Sequence, residues 1–309
     1  MKILKPKFWE KNNNLISLLL LPISFFLQLL IIIKKKLTPE HSFKIPVICI
    51  GNIYLGGTGK TPLSILIVKE LRKHNKKPAI IKKYYSEHID EHNLIDSSLD
   101  CLFLNKQRSK AINSAEKKQY NVAILDDGFQ DYSIKKDLNI LCFNSNQLIG
   151  NGMTLPSGPL RESINAIKKT QIVIINGERN ILFEEKILSI SNKVKIFYSK
   201  YFLENIQEFK NKNLFAFAGI GNPNNFFKLL VDNNFKIHSK ISFPDHYKFS
   251  KSEIQQMVDE ALKKDLELVT TEKDYFRIKD YGFKNIKFLK IKLEILENDK
   301  FLNQILNYS

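Results

Sequence analysis

The chain has 309 residues, 43% hydrophobic and 26% charged, which excludes a disordered chain and gives room for two ordinary domains or one large one. Its formal net charge of +16 suits an anionic membrane, a phosphorylated substrate or nucleic acid, and the even spread of lysines equally suits a Lys-, Asn- and Ile-rich composition with no special partner. No nucleic-acid-binding motif is present, and Cys49, Cys101 and Cys142 lack metal-ligand spacing, so they read as reduced, buried small hydrophobes.

The first predicted element is a run of 19 residues without charge, 15–33. As a helix it is roughly 28 Å long, close to the hydrocarbon thickness of a bilayer. Lys2, Lys5, Lys7 and Lys11 precede it, Lys34, Lys35 and Lys36 follow it, and Trp9 sits where an interfacial anchor belongs. Pro22, Ser17, Ser24 and Gln28 weaken a spanning reading. A helix lying in the membrane interface accommodates both the polar residues and the two basic flanks. A buried core helix is the third reading.

Residues 44–50 predict a buried strand, followed by the loop Gly56, Gly57, Thr58, Gly59, Lys60 and Thr61. Behind it comes an amphipathic helix with Leu63, Leu66, Ile67 and Leu71 on one face, and Pro62 in its first turn. Strand, glycine-rich loop and helix in that order are the context of a P-loop, in which backbone N–H groups close around phosphate oxygens at a helix N-terminus. Lys60 is placed for the β- and γ-phosphates of a nucleoside triphosphate and the Thr61 hydroxyl for Mg²⁺. The first glycine of the usual pattern is Tyr54 here. The form Gly-Gly-x-Gly-Lys-Thr instead resembles the loop of partner-dimerising ATPases, whose additional lysine falls on Leu55.

A second apolar strand, 121–125, ends in Asp126 and Asp127, carboxylates positioned to organise a metal beside the P-loop. Further on, residues 155–162 read Leu-Pro-Ser-Gly-Pro-Leu-Arg-Glu, 216–223 read Ala-Phe-Ala-Gly-Ile-Gly-Asn-Pro, 243–247 read Phe-Pro-Asp-His-Tyr before a helix starting near Ser250, and 270–274 read Thr-Thr-Glu-Lys-Asp. Strands that end in such turns are where open α/β sheets bind ligands.

The series Gly-Gly-Thr-Gly-Lys-Thr-Pro, Asp-Asp-Gly-Phe-Gln, Pro-Ser-Gly-Pro-Leu-Arg-Glu, Ala-Gly-Ile-Gly-Asn-Pro, Phe-Pro-Asp-His and Thr-Thr-Glu-Lys-Asp resembles the tetraacyldisaccharide 4′-kinase family of lipid A biosynthesis. The resemblance implies transfer of the ATP γ-phosphate to the 4′-hydroxyl of a lipid A disaccharide 1-phosphate. It also implies an enzyme on the cytoplasmic face of the inner membrane, with ATP and Mg²⁺ as cofactors and no nucleic-acid partner. By that resemblance Asp90 is the catalytic base, supported by His246, with Glu91 as the adjacent candidate, and Arg161 stabilises phosphate. Two departures stand out. The family's Ser-Arg-Gly-Tyr is Lys82, Lys83, Tyr84 and Tyr85, and its Gly-Asp-Glu-Pro is Ile89, Asp90, Glu91 and His92.

The expected architecture is α/β: a P-loop NTPase-like parallel sheet domain over 37–177, a hinge over 178–212 and a second, smaller α/β domain over 213–309. An N-terminal membrane-associated segment over 1–36 precedes them, and a terminal helix is expected from about Lys292. Two alternatives carry weight. A membrane-associated P-loop ATPase with a transport or assembly role would hydrolyse ATP without a phosphorylated product. A GTP-binding switch is disfavoured because Lys273 and Asp274 are adjacent, where guanine reading needs a residue between them.

Overall fold

The computed structural model describes residues 6–12, 14–85, 92, 93, 95, 96, 99–245 and 247–309. Contacts divide the chain into two compact units, one of residues 3–84, 101–200 and 293–309, the other of 1–2, 85–100 and 201–292.

The first unit is built on an eight-stranded sheet. Its strands are β1 (Val47–Gly51), β2 (Pro78–Lys83), β3 (Leu102–Asn105), β4 (Val122–Asp126), β5 (Leu138–Asn144), β6 (Ile172–Asn176), β7 (Lys195–Leu203) and β12 (Ile291–Ile295). Their order is β12-β7-β6-β5-β1-β4-β2-β3, and every pair from β3 to β7 is parallel. β1, β4 and β6 are buried along their whole length, as continuous apolar runs in a sheet covered on both faces require. From β1 the chain goes out to β2 on one side of it and later to β5 on the other. The carboxyl end of β1 is therefore the switch point at which such sheets open a crevice. Helix α3 (Lys60–Lys73) follows β1 and buries Leu63, Ile67, Val68 and Leu71, the stripe its 3.6-residue period predicts, with Leu66 only partly covered. Cys49 and Cys142 lie in the core, and burial pushes their thiols up to about 11 and about 12, as inert packing residues require.

The second unit has a four-stranded parallel sheet in the order β11-β10-β8-β9, of β8 (Asn213–Ala218), β9 (Lys236–Ser242), β10 (Glu267–Thr271) and β11 (Ile286–Leu289). Alternate residues of β8 serve two cores, as the pleat dictates. Leu214 and Ala216 face Phe226, Phe227 and Leu230 of one helix (Pro223–Asp232), while Phe215 and Phe217 face Ile254, Met257 and Val258 of another (Lys251–Lys263). The second helix starts where the sequence indicates, with a capping box between Ser250 and Glu253.

The strand and helix positions correct three sequence-based extents. The segment expected as a hinge, 178–212, contains a helix (Ile181–Ile190) and β7, a strand of the first sheet. Residues 293–309 belong to the first unit rather than the second. The terminal segment begins as strand β12 and becomes helical only at Asn298, where Phe301 and Ile305 are buried and Phe301 meets Phe197 of β7 edge-on at 5.5 Å.

The uncharged run 15–33 is two helices, α1 (Leu15–Leu19) and α2 (Leu21–Leu37), separated at Leu20 with Pro22 in the first turn of α2. Among the described residues no helix is long and apolar enough to cross a membrane. The core-helix reading falls, because Leu19 is 78% and Phe25 74% exposed. The polar residues are what the protein covers. Ser24 Oγ donates to the Thr154 carbonyl and contacts Ser157 Oγ at 2.7 Å, Asn151 Nδ2 donates to Ser17 Oγ, and Gln28 Nε2 donates to the Arg161 carbonyl. Ser17 and Ser24 are buried, and the large apolar side chains look outward.

Candidate active site

Gly59 caps the start of α3 with φ 89°, a left-handed conformation open to glycine at no steric cost, and this turns the loop so that Lys60 and Thr61 open the helix. Asn52, fully buried, braces the loop from within by donating to the carbonyls of Tyr54 and Gly56. Gln130 donates in turn to the Asn52 carbonyl. Gly51 lies so close to Phe129 that a Cβ there would collide with the Phe129 Cβ, so only glycine allows the end of β1 to approach the segment after β4 this closely.

The segment 153–161 folds over this loop. Leu55 N donates to the Pro159 carbonyl, Arg161 N donates to the Ile53 carbonyl, and Tyr54 bridges Leu160 in antiparallel fashion. That clamp explains how a residue a hundred positions away reaches the P-loop. The Arg161 guanidinium donates to both oxygens of Asp127, at 3.2 and 3.3 Å.

The loop, the end of β4 and Arg161 converge on the two carboxylates. Thr61 Oγ1 donates to Asp126 Oδ2 at 2.9 Å, and Lys82 Nζ, buried on β2, donates to the same oxygen at 2.6 Å. Lys60 Nζ lies 3.6 Å from Asp127 Oδ1. Partial burial opposes the Asp127 charge, but Lys60, Arg161, Lys82 and Arg108 outweigh it and hold the carboxyl at about 2. Asp127 is therefore ionised at any working pH. Arg108 adds a bond to the Asp127 carbonyl at 2.7 Å and another to Asp131 at 3.2 Å.

Gly56, Gly57, Thr58, Gly59, Lys60 and Thr61 thus stand together with Asp126, Asp127 and Arg161. Asp90 and His246 lie outside the described residues, as does Glu91. Lys82 and Arg108 are additions to the predicted site residues, Lys82 entering the sequence analysis only as a departure from the family's Ser-Arg-Gly-Tyr. Lys82 carried one signal, a charge inside an otherwise apolar strand, Pro-Ala-Ile-Ile-Lys-Lys. Arg108 carried none, being one basic residue at a helix start.

The donor set fits a magnesium ion held jointly by protein and substrate phosphates. Asp126 Oδ1 and Thr58 Oγ1 are buried without a hydrogen-bond partner among the described residues, and Thr61 offers a hydroxyl beside them. Among the described residues no three His, Cys, Asp or Glu side chains form a metal cage, and magnesium at a phosphate site needs none.

In the second unit, Asp274 of the Thr-Thr-Glu-Lys-Asp stretch is fully buried. It accepts from the backbone N–H of Gly219 at 2.8 Å and from the Thr271 hydroxyl at 2.8 Å, and it pairs with Arg277. Two sequence motifs of this unit, around Gly219 and Asp274, are thereby one structural joint between the ends of β8 and β10.

A family model described as LpxK, tetraacyldisaccharide-1-P 4′-kinase, matches residues 16–309. A tetraacyldisaccharide 4′-kinase of Pelagibacter ubique (strain HTCC1062) is 43% identical over 310 residues, spanning 99% of this chain and 98% of the relative. One of Rickettsia canadensis (strain McKiel) is 32% identical over 323 residues, spanning 98% and 96%. Among solved structures, LpxK from Aquifex aeolicus in complex with ATP superposes with a TM-score of 0.70 at 25% identity, over 95% of this chain and 99% of that one.

Proposed function

The chain belongs to the tetraacyldisaccharide-1-P 4′-kinase family, and on that premise we propose how its own residues perform the reaction. The reaction is ATP-dependent phosphorylation of the 4′-hydroxyl of a tetraacyldisaccharide 1-phosphate in lipid A biosynthesis. The transport or assembly ATPase is not favoured, since relatives matching nearly the whole chain are named as this kinase.

Phosphoryl transfer leaves little covalent work to the protein, so positioning and charge stabilisation dominate. The observation that carries the proposal is the convergence of Lys60, Thr61 and Arg161 on Asp126 and Asp127. In the proposed mechanism the loop N–H groups hold the β- and γ-phosphates, and Lys60 leaves Asp127 to neutralise the charge on the transferred group. Thr61, Asp126 and Asp127 would hold Mg²⁺, which would supply further neutralisation of the phosphate charge. Arg161 turns from Asp127 to the transferred or acceptor phosphate. Asp90, supported by His246, accepts the proton of the sugar hydroxyl, a role that rests on the family resemblance.

The test is direct. Purified full-length protein is incubated with γ-labelled ATP and tetraacyldisaccharide 1-phosphate in mixed micelles, and label is followed into lipid. Stoichiometric label in the lipid is expected. Label released only as inorganic phosphate would overturn the kinase reading.

We further propose that α1 and α2 lie on the membrane interface, on the cytoplasmic face of the inner membrane, where the substrate resides. The outward apolar side chains and Lys34, Lys35 and Lys36 at the end of α2 support this. Deleting the helices is a poor test, because Ser17, Ser24 and Gln28 also brace the segment that carries Arg161. Leu19→Glu/Phe25→Glu changes only exposed side chains. This variant should lose cosedimentation with phosphatidylglycerol vesicles while phosphorylating micellar substrate within about twofold of wild type, in line with surface substitutions that leave the core intact. Undiminished cosedimentation would refute the interfacial placement.

A further inference from the structure

Lys82 stands where a buried β-strand residue is ordinarily apolar or small. It follows the Ile81–Leu125 register pair, so it and Asp126 meet at the carboxyl ends of β2 and β4. The ammonium is 2.6 Å from Asp126 Oδ2, and the two side chains are 5% and 0% exposed. Thr61 donates to the same oxygen, which leaves Oδ1 buried and without a partner among the described residues. A buried carboxylate beside a triphosphate site repels the ligand strongly, since the interior screens charge far less than water.

We infer that Lys82 is a built-in counter-cation for Asp126, one that lets the nucleotide site accept the polyphosphate before or without the divalent ion and so loosens the coupling between metal and nucleotide. It is a positioning residue acting through Asp126 and Thr61, and the inference rests on the nucleotide-site reading given above. Its consequence is thermodynamic. Whatever factor Mg²⁺ contributes to ATP affinity, ATP contributes to Mg²⁺ affinity, and a fixed charge at Asp126 lowers that shared factor. The other local cations are not placed to do this. Lys60 and Arg161 pair with Asp127, and Arg108 with Asp131 and the Asp127 carbonyl.

The experiment measures ATP dissociation constants by calorimetry on the full chain, once with EDTA and once with excess Mg²⁺, and takes their ratio. Lys82→Met should raise that ratio by roughly tenfold or more over wild type, because metal-free ATP then meets an uncompensated carboxylate. Lys82→Arg should keep the wild-type ratio. Lys82→Met leaves a buried charge unpaired and is the variant at risk of not folding, so Lys82→Gln, which keeps a hydrogen-bond donor toward Asp126 Oδ2 and removes the charge, completes the set. Lys82→Gln should raise the ratio as Lys82→Met does, because the donor is kept and the charge is not. A ratio unchanged in Lys82→Met, or a loss of affinity equal in EDTA and in Mg²⁺, would overturn the inference and leave Lys82 a packing residue. So would a wild-type ratio in Lys82→Gln. Absence of ATP binding by the wild-type chain in both conditions would instead overturn the nucleotide site itself.

Discussion

Lys60→Ala lowers the rate of lipid phosphorylation by about a thousandfold, the scale on which removal of a single preorganised donor to developing charge is felt. The side chain leaves the first turn of α3 and reaches Asp127 at 3.6 Å, a loose contact for an ion pair and one that a phosphate can displace. Its neighbours are held more tightly. Lys82 is fixed on Asp126 at 2.6 Å and does not replace Lys60 without giving up that carboxylate, and Arg161, which donates to both oxygens of Asp127, has its own phosphate to meet. Backbone donors cannot substitute either, since they carry no net charge to the γ-phosphate. Single-turnover measurement at saturating ATP isolates the chemical step, with ATP affinity determined separately. A moderate loss of affinity accompanies the loss of rate, because the lysine meets phosphate in the ground state as well. Turnover near the wild-type value would remove the P-loop from the catalytic centre.

The parts of this site that were legible in the sequence are those in which one short segment carries both the chemistry and its local geometry. Gly59, Lys60 and Thr61 follow a buried strand and open a helix, and that context is written within some twenty consecutive residues. Asp126 and Asp127 end an apolar strand, again a local statement. Lys82 was not legible as a partner of Asp126, because the two strands that bring them together are separated by β3 and a helix (Arg108–Lys117), and strand order is not local information. The same limit hid the return of β12 and the terminal helix to the first sheet. Ser17, Ser24 and Gln28 illustrate a different failure. In the sequence they weaken a spanning reading and suit an interfacial one, and nothing local shows that they form the face by which the segment is held. A helix that buries its hydroxyls and exposes its leucines inverts the usual amphipathic rule, and only a partner surface offering Thr154, Ser157 and Asn151 makes that arrangement favourable.

Asp90→Asn and His246→Ala each lower kcat by about 10²–10⁴ while leaving ATP affinity nearly unchanged, because a sugar hydroxyl is a poor nucleophile until its proton begins to leave. The described part of the site makes the need for such a base concrete. Asp126 and Asp127 are committed to Thr61, Lys82, Lys60 and Arg161, and a carboxyl held at about 2 is a weak proton acceptor, so Asp127 is suited to binding cations and not to deprotonating an alcohol. The base must then come from elsewhere, and the family resemblance points to Asp90 with His246. Two groups acting as a unit are not additive, so the double variant should be little slower than the slower single one. A pH–rate profile adds an independent reading. The acidic limb of kcat in the wild type reports the base, and it should be displaced or lost in Asp90→Asn, whereas a residue that merely shapes the site would lower the plateau and keep the limb. Glu91 is the alternative if the correspondence is shifted by one position. An Asp90→Asn enzyme with wild-type kcat beside an inactive Glu91→Gln would transfer the role to Glu91. Wild-type rates in both would place the base outside residues 82–92 and leave His246 as the first group to test alone.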